Sequence, residues 1–359
     1  MDRAAENRKN HARELNVDDP SILVVRFSSI GDVLLTTPVL RAIRQRWPGA
    51  RISFLTRERF APLLQNNPGV DELLTLREGA ALSDLVSLGR SLARRKWHLL
   101  VDLHASLRSS LIRRLVAADF TASLAKSRLK RSLLIYARLD LYGPRPPSMP
   151  ARYAACLASF GLELDQGPCD LYLDESDRNP AEQQIGAYWP GSPDLLALAP
   201  GAAWQTKRWP VERFARSAAE LAERHALGVV LLGGEKDLDI CEQAVKYLGR
   251  KNCLNLAGKL SLRGSAAAVE KSKILLSNDT GLMHIATAVG TPVVAVFGCT
   301  TRHLGYFPYQ ARKATVVETE LYCRPCTHNG RRRCPLGHFR CMRDISIEKV
   351  VKAVEVLLK

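Results

Sequence analysis

Short apolar runs recur along the chain, separated by longer stretches with helical spacing. In the first half the runs are ILVVRF (22–27), RISFLT (51–56), ELLTL (72–76) and HLLVDLH (98–104). In the second half they are LLALAP (195–200), GVVLLGG (228–234), CLNLAG (253–258), KILLSND (273–279), PVVAVFG (292–298) and ATVVE (314–318). The runs are continuously apolar and do not alternate, so each predicts a strand buried on both faces, as in a parallel sheet covered by helices. Between them lie segments such as VERFARSAAELAERHA (211–226), which predict helices. Two such strand–helix series, split by the Pro/Gly-rich zone YWPGSPD (188–194), predict an α/β chain with two Rossmann-like domains. The expected organisation is a polar tail (1–20), an N-terminal domain (21–187), a C-terminal domain (188–344) and a closing amphipathic helix (345–359).

At 359 residues the chain has room for two cores, and with 46% apolar and 25% charged residues its composition is that of a soluble globular protein. No apolar run approaches the roughly 18 residues that span a bilayer. The opening MDRAAENRKNHARELNVDDP has no apolar stretch of the kind a secretory signal needs, so a cytoplasmic location is expected. The net charge of +16 and a pI near 9.7 point to a polyanionic partner: nucleic acid, an anionic membrane or a phosphorylated substrate. The charge is uneven, because residues 85–140 hold twelve Lys/Arg against Asp102, Asp119 and Asp140. A solvated basic surface explains that stretch as well as a binding role does.

Of nine cysteines, five are scattered and fit small buried hydrophobes. Four cluster as Cys323-x2-Cys326-x7-Cys334-x6-Cys341, among six arginines and no acid. That spacing fits a structural zinc or iron–sulfur site; a compact reduced thiol loop is the alternative.

In open parallel sheets ligands bind at the C-terminal ends of strands, so the turns after strands are where chemistry is expected. Four stand out. FSSIGDVLLTTP (27–38) places Asp32 at the start of a helix, either as a general base or as a helix-terminal stabiliser. APGAAWQTKRWP (199–210) combines small residues with Lys207 and Arg208, which suits a phosphate; an exposed basic loop is the competitor. LLGGEKD (231–237) offers Glu235 to a ribose. SNDTGLMHIATAVGTPVVAVFG (277–298) ends a strand at Asp279 and Thr280, either able to cap the next helix. Its free N–H groups suit a diphosphate, and His284 is either a ligand contact or a satisfied core histidine.

The ordered set RFSSIGDVLLTTPVLRAIRQRWPGARISFLT, GAAWQTKRWP, LLGGEKD and SNDTGLMHIATAVGTPVVAVFG resembles the lipopolysaccharide heptosyltransferases, from about Ile22 to Lys359. KRWP and the cysteine segment look most like type II members. Ala202 and Ala203 stand where some type I members have hydroxyl residues. The resemblance implies a GT-B fold and inverting transfer of heptose from ADP-L-glycero-D-manno-heptose to the inner core of lipopolysaccharide. It implies Asp32 as catalytic base, Lys207 as phosphate-contacting catalytic residue, Glu235 on the ribose and Leu260 against adenine. Asp279, Thr280, Gly281 and His284 would hold the diphosphate and sugar. For the acceptor it implies Ser28, Ser29, Gly31, His104 and Arg108. It implies no metal or cofactor in catalysis, and a final helix that crosses back to the N-terminal domain. The implied acceptor is an anionic Kdo–lipid A or heptosylated core, met at the inner face of the inner membrane, with the basic stretch 85–140 in the acceptor domain.

Three other classes are weighed against it. A GT-B transferase with another nucleotide sugar fits the same turns. A nucleic-acid-binding protein would use the cysteine cluster and basic surface, but base-stacking aromatics are missing near its arginines. A dehydrogenase lacks the GxGxxG fingerprint.

Overall fold

The computed structural model describes Glu14, Leu15 and residues 17–191 and 193–359. Most of the expected polar tail lies outside the described residues. Two compact units emerge: one comprises the described residues up to Lys126 with Met149–Asp170, the other Ser127–Ser148 with Leu171–Lys359. The boundary expected at 187 falls at 170, and 127–148 belongs to the second unit. The basic stretch 85–140 is therefore divided: Arg128, Lys130, Arg131 and Arg138 sit with the second unit.

In the first unit β1 (Ser21–Val25), β2 (Arg51–Arg57), β3 (Glu72–Leu76), β4 (Leu99–Asp102) and β5 (Phe120–Ser123) form one parallel sheet in the order β3-β2-β1-β4-β5. In the second, β6 (Leu195–Ala199), β7 (Gly228–Leu231), β8 (Cys253–Asn255), β9 (Ile274–Asn278), β10 (Val293–Phe297) and β11 (Ala314–Glu318) pair in the order β11-β10-β9-β6-β7-β8, also parallel. All ten predicted runs became strands. β5 was not foreseen: its four residues, FTAS, bury only Ala122, as an edge strand permits. Ile22–Val25 and Leu99–Val101 are fully buried, and each such side chain contributes about 1.5–3 kcal/mol on leaving water.

Seven helices matter below: α1 (Ile30–Leu34), α2 (Thr37–Arg46), α3 (Leu107–Leu115), α4 (Arg128–Ser132), α5 (Val211–His225), α6 (Gly281–Val289) and α7 (Ile347–Leu358). The expected return of the final helix to the N-terminal domain is corrected by its packing. Val350, Val351 and Val354 of α7 are buried in the core cluster of the second unit, beside Trp209, Phe214 and Val317. Its apolar face is spent there.

Strand order fixes where sites belong. The chain doubles back between β1 and β4 in the first sheet and between β6 and β9 in the second, leaving a crevice beyond the strand ends at each reversal. Asp32 and His104 follow β1 and β4; Lys207 and Asp279 follow β6 and β9.

Candidate active site

In the first unit Asp32 sits in the first turn of α1, and its carboxylate is held from several sides. Its Oδ2 accepts from Ser29 N at 3.0 Å and Ser29 Oγ at 2.8 Å. Its Oδ1 pairs with Arg26 Nη2 at 2.5 Å and lies 3.4 Å from the Tyr153 hydroxyl, which donates to it. The helix-terminal role and the site position coexist: the Ser29 contacts complete the helix start, while Arg26 and Tyr153 have no part in it.

Arg26 ends the ILVVR run and is almost wholly buried, which only a satisfied guanidinium tolerates. It donates to Leu103 O at 2.6 Å and Ser28 O at 2.9 Å, and lies 5.5 Å over the Tyr153 ring. Tyr153 itself is brought in by a return segment that Arg41, on α2, clasps through Asp165 and Asp170. The Arg41 hydrogen bond pulls the Asp165 carboxyl down to about 2. Neither Arg26 nor Tyr153 was named from the sequence, although a lone arginine closing an apolar strand was a signal.

His104 follows β4, edge-on to Phe27 at 5.5 Å. Burial is the main cause that pushes its imidazole down to about 3, and the Arg26 cation adds to it. Its Nδ1 has no hydrogen-bond partner among the described residues. The turn is shaped by fully buried Asp102, whose Oδ1 accepts from His104 N and Ala105 N at 3.0 and 2.8 Å. Because His104 is neutral when folded but takes a proton near pH 6.5 when unfolded, the unfolded chain binds more protons between about pH 3 and 6.5. Its contribution to stability is present above that window and is lost as pH falls through it. Denaturant titrations in this window should show a gentler pH slope for His104→Gln than for wild type; parallel slopes would contradict the assignment. Gly31 is buried within α1, Ser28 is half-buried, and Ser29 and Arg108, the latter on the first turn of α3, are exposed.

In the second unit, Lys207 Nζ pairs with Asp279 Oδ2 at 2.7 Å, both largely buried, and the same oxygen accepts from Thr300 Oγ1 at 2.7 Å. The Asp279 side chain thus goes to Lys207 and Thr300. Thr280 supplies the backbone cap of α6, but its hydroxyl makes no cap bond and is buried without a partner among the described residues. His284 is buried on the first turn of α6. Asn278, also missed, stitches the site: its amide accepts from Trp209 N at 2.9 Å and donates to Pro200 O at 2.8 Å. Gly201 leaves room for the Asp237 side chain, whose Oδ1 a Cβ here would meet at 2.2 Å and push aside. Glu235 is exposed after β7, and Leu260 is half-buried in the turn after β8. These positions therefore follow the neighbouring strands β9, β6, β7 and β8 in sheet order.

The cysteine segment is not remote from this site. Thr206 accepts from Arg331 N at 2.8 Å, and Arg324 donates to Thr300 O at 2.8 Å. Cys323, Cys326, Cys334 and Cys341 line a pocket of about 240 Å³ with His338. Sulfur and imidazole suit zinc chemically. Among the described residues, no group of three or more His, Cys, Asp or Glu is placed to share an ion. The thiols here differ in character: burial pushes Cys341 up to about 12 and raises Cys323, whereas Cys326 is lowered to about 7, chiefly through its hydrogen bond with Cys299. A thiol-directed alkylating probe should label Cys326 before Cys323 or Cys341, faster as pH rises through 7. Uniform labelling would contradict this order.

The glycosyltransferase family 9 (heptosyltransferase) model matches residues 85–336. A lipooligosaccharide heptosyltransferase 2 from Campylobacter jejuni is 30% identical over 166 residues, covering 45% of this chain and 51% of that protein. A lipooligosaccharide heptosyltransferase 2 from Haemophilus ducreyi is 28% identical over 94% of this chain and 99% of its own. A crystal structure of a family 9 glycosyl transferase from Veillonella parvula superposes with a TM-score of 0.80, at 27% identity over 97% of this chain and 99% of that one. With two parallel Rossmann-like sheets, the expected motifs at the strand ends and a family match over most of its length, the chain belongs to glycosyltransferase family 9 and is a glycosyltransferase.

Proposed function

We propose that this protein transfers a heptose from ADP-L-glycero-D-manno-heptose to the inner core of lipopolysaccharide, with inversion at the anomeric carbon. The order of groups along the second sheet carries the donor assignment. Strands lie about 4.8 Å apart, so the three steps from β9 to β8 span roughly 14 Å, the scale of a nucleoside diphosphate. Across that span come Thr280 and the α6 N-terminus, then Lys207, then Glu235, then Leu260. Cation and free helix N–H groups suit the diphosphate, a carboxylate suits ribose hydroxyls, and an apolar side chain suits a base. Asp279 acts here by aiming Lys207 and bears on the phosphates only through it; a bare carboxylate beside phosphate would be repulsive. The heptosyl identity rests on the family and on the names of its relatives.

On this account Asp32 accepts the proton of an acceptor hydroxyl while that oxygen forms a bond to the anomeric carbon. The bond from that carbon to the diphosphate oxygen breaks, and ADP departs with its charge met by Lys207 and the α6 N-terminus. Arg26 keeps Asp32 ionised and oriented, and neutral His104 offers a hydrogen bond without competing for the proton. The acceptor groups are Ser28, Ser29, Gly31, His104 and Arg108, and the acceptor is an anionic glycolipid at the cytoplasmic face of the inner membrane. Calorimetric titration separates the alternatives: ADP should bind far more tightly than UDP, NAD or single-stranded DNA. Preference for UDP would favour another nucleotide sugar, and preference for DNA would sink the enzyme assignment.

A further inference from the structure

The strap formed by residues 127–148 is contributed to the second unit by a stretch lying between two parts of the first in sequence. It is pinned by Arg138, which donates to Pro325 O at 2.7 Å, and by Arg131, whose Nη1 lies 3.2 Å from His328 Nε2. Its helix α4 runs on into a wider turn at Leu133–Ala137. Leu134 and Ile135 face inward and are buried, whereas Leu129 and Tyr136 are 72% and 75% exposed. Both side chains therefore present apolar surface to solvent. Leu139 and Leu141 continue the exposed apolar set. Tyr136 also lines the cysteine pocket together with Leu336, itself half-exposed.

Charge accompanies this surface. Arg128 and Lys130 are exposed on either side of Leu129, and the strap holds five Arg/Lys (128, 130, 131, 138, 145) against Asp140 alone. Even Asp140 has a basic neighbour, His303 Nε2 at 3.3 Å. Outward leucines and a tyrosine, flanked by cations and nearly free of acid, match the chemistry of a segment lying in the headgroup layer of an anionic bilayer. Among the described residues no helix is long and apolar enough to cross a membrane, so contact of this kind would be interfacial.

We infer that the 127–148 strap is the surface by which this protein lies on an anionic phospholipid bilayer. The inference deepens the proposed function, since a lipid-anchored acceptor is met at such a surface. It is tested with the full chain and vesicles free of any saccharide lipid, so that acceptor recognition plays no part. Co-sedimentation should show binding to phosphatidylglycerol–phosphatidylethanolamine vesicles, weak binding to phosphatidylcholine alone, and loss at high salt. Arg128→Gln with Lys130→Gln should weaken low-salt binding roughly 30-fold, from about 1 kcal/mol per removed cation. Leu129→Ser with Tyr136→Ser should weaken it at all salt concentrations, and both pairs should keep the wild-type melting temperature and ADP affinity. Wild-type indifference to anionic vesicles overturns the inference, as does undiminished binding by both variants. Self-association that the Leu129/Tyr136 variant abolishes, without vesicle binding, would assign the surface to a second copy instead. Transfer to a deacylated, soluble acceptor is scored separately: its absence would overturn the proposed function and leave the surface assignment standing.

Discussion

Asp32→Asn is expected to lower turnover by roughly 10²–10⁴-fold, the range for removing a general base, with ADP affinity nearly unchanged. The substitution keeps size and can still accept from Ser29 N and Oγ, so α1 should start where it does now. What it removes is the negative charge facing Arg26 and the proton-accepting group. Arg26 keeps its bonds to Leu103 O and Ser28 O but loses its carboxylate partner, so the variant should melt earlier than wild type while keeping the fold. If Asp32 served only the helix start and the Arg26 pair, its loss would lower stability and leave turnover near normal. Steady-state kinetics alongside denaturant melts separate the two. Arg26→Met should act through the same carboxylate: turnover falls, and the acidic limb of the pH–rate profile moves to higher pH because the cation favouring the ionised form is gone.

Lys207→Ala should be the second large loss, on the order of 10²–10³-fold in turnover, with weaker ADP binding. It also strips a buried carboxylate of its cation. Breaking one side of a buried ion pair costs about 3–5 kcal/mol, so the single variant should melt early. Lys207→Ala combined with Asp279→Asn should recover much of that stability, because Thr300 can still donate to the amide oxygen, but none of the turnover. Activity recovered along with stability would mean that Lys207 matters only as a structural partner.

The architecture was legible because fully buried strands carry a continuous apolar signature that a helix of ten or more residues does not share. β5 was not, since an edge strand of four residues needs only Ala122 inside. The strap was assigned by sequence position to the first domain, and only long-range contacts such as Arg138 to Pro325 move it to the second unit. Within the site, the turns after strands declared Asp32, Lys207 and Asp279 as chemical candidates. Their partners were hidden by distance along the chain: Tyr153 is 121 residues from Asp32, and Arg331 is 125 from Thr206. Asn278 stood in plain view beside Asp279, but its role lies in backbone groups at 200 and 209 that no local pattern announces.

The proposed activity is heptosyl transfer from an ADP-linked donor. Its most direct measurement is mass spectrometry of a lipid A-linked core acceptor after incubation with the protein and a panel of ADP- and UDP-sugars. The account predicts one added heptose and stoichiometric ADP release with ADP-heptose, near-zero conversion with UDP-sugars, and loss of conversion in Asp32→Asn. Transfer from a UDP-sugar with ADP-heptose left untouched, or full conversion by Asp32→Asn, would contradict it.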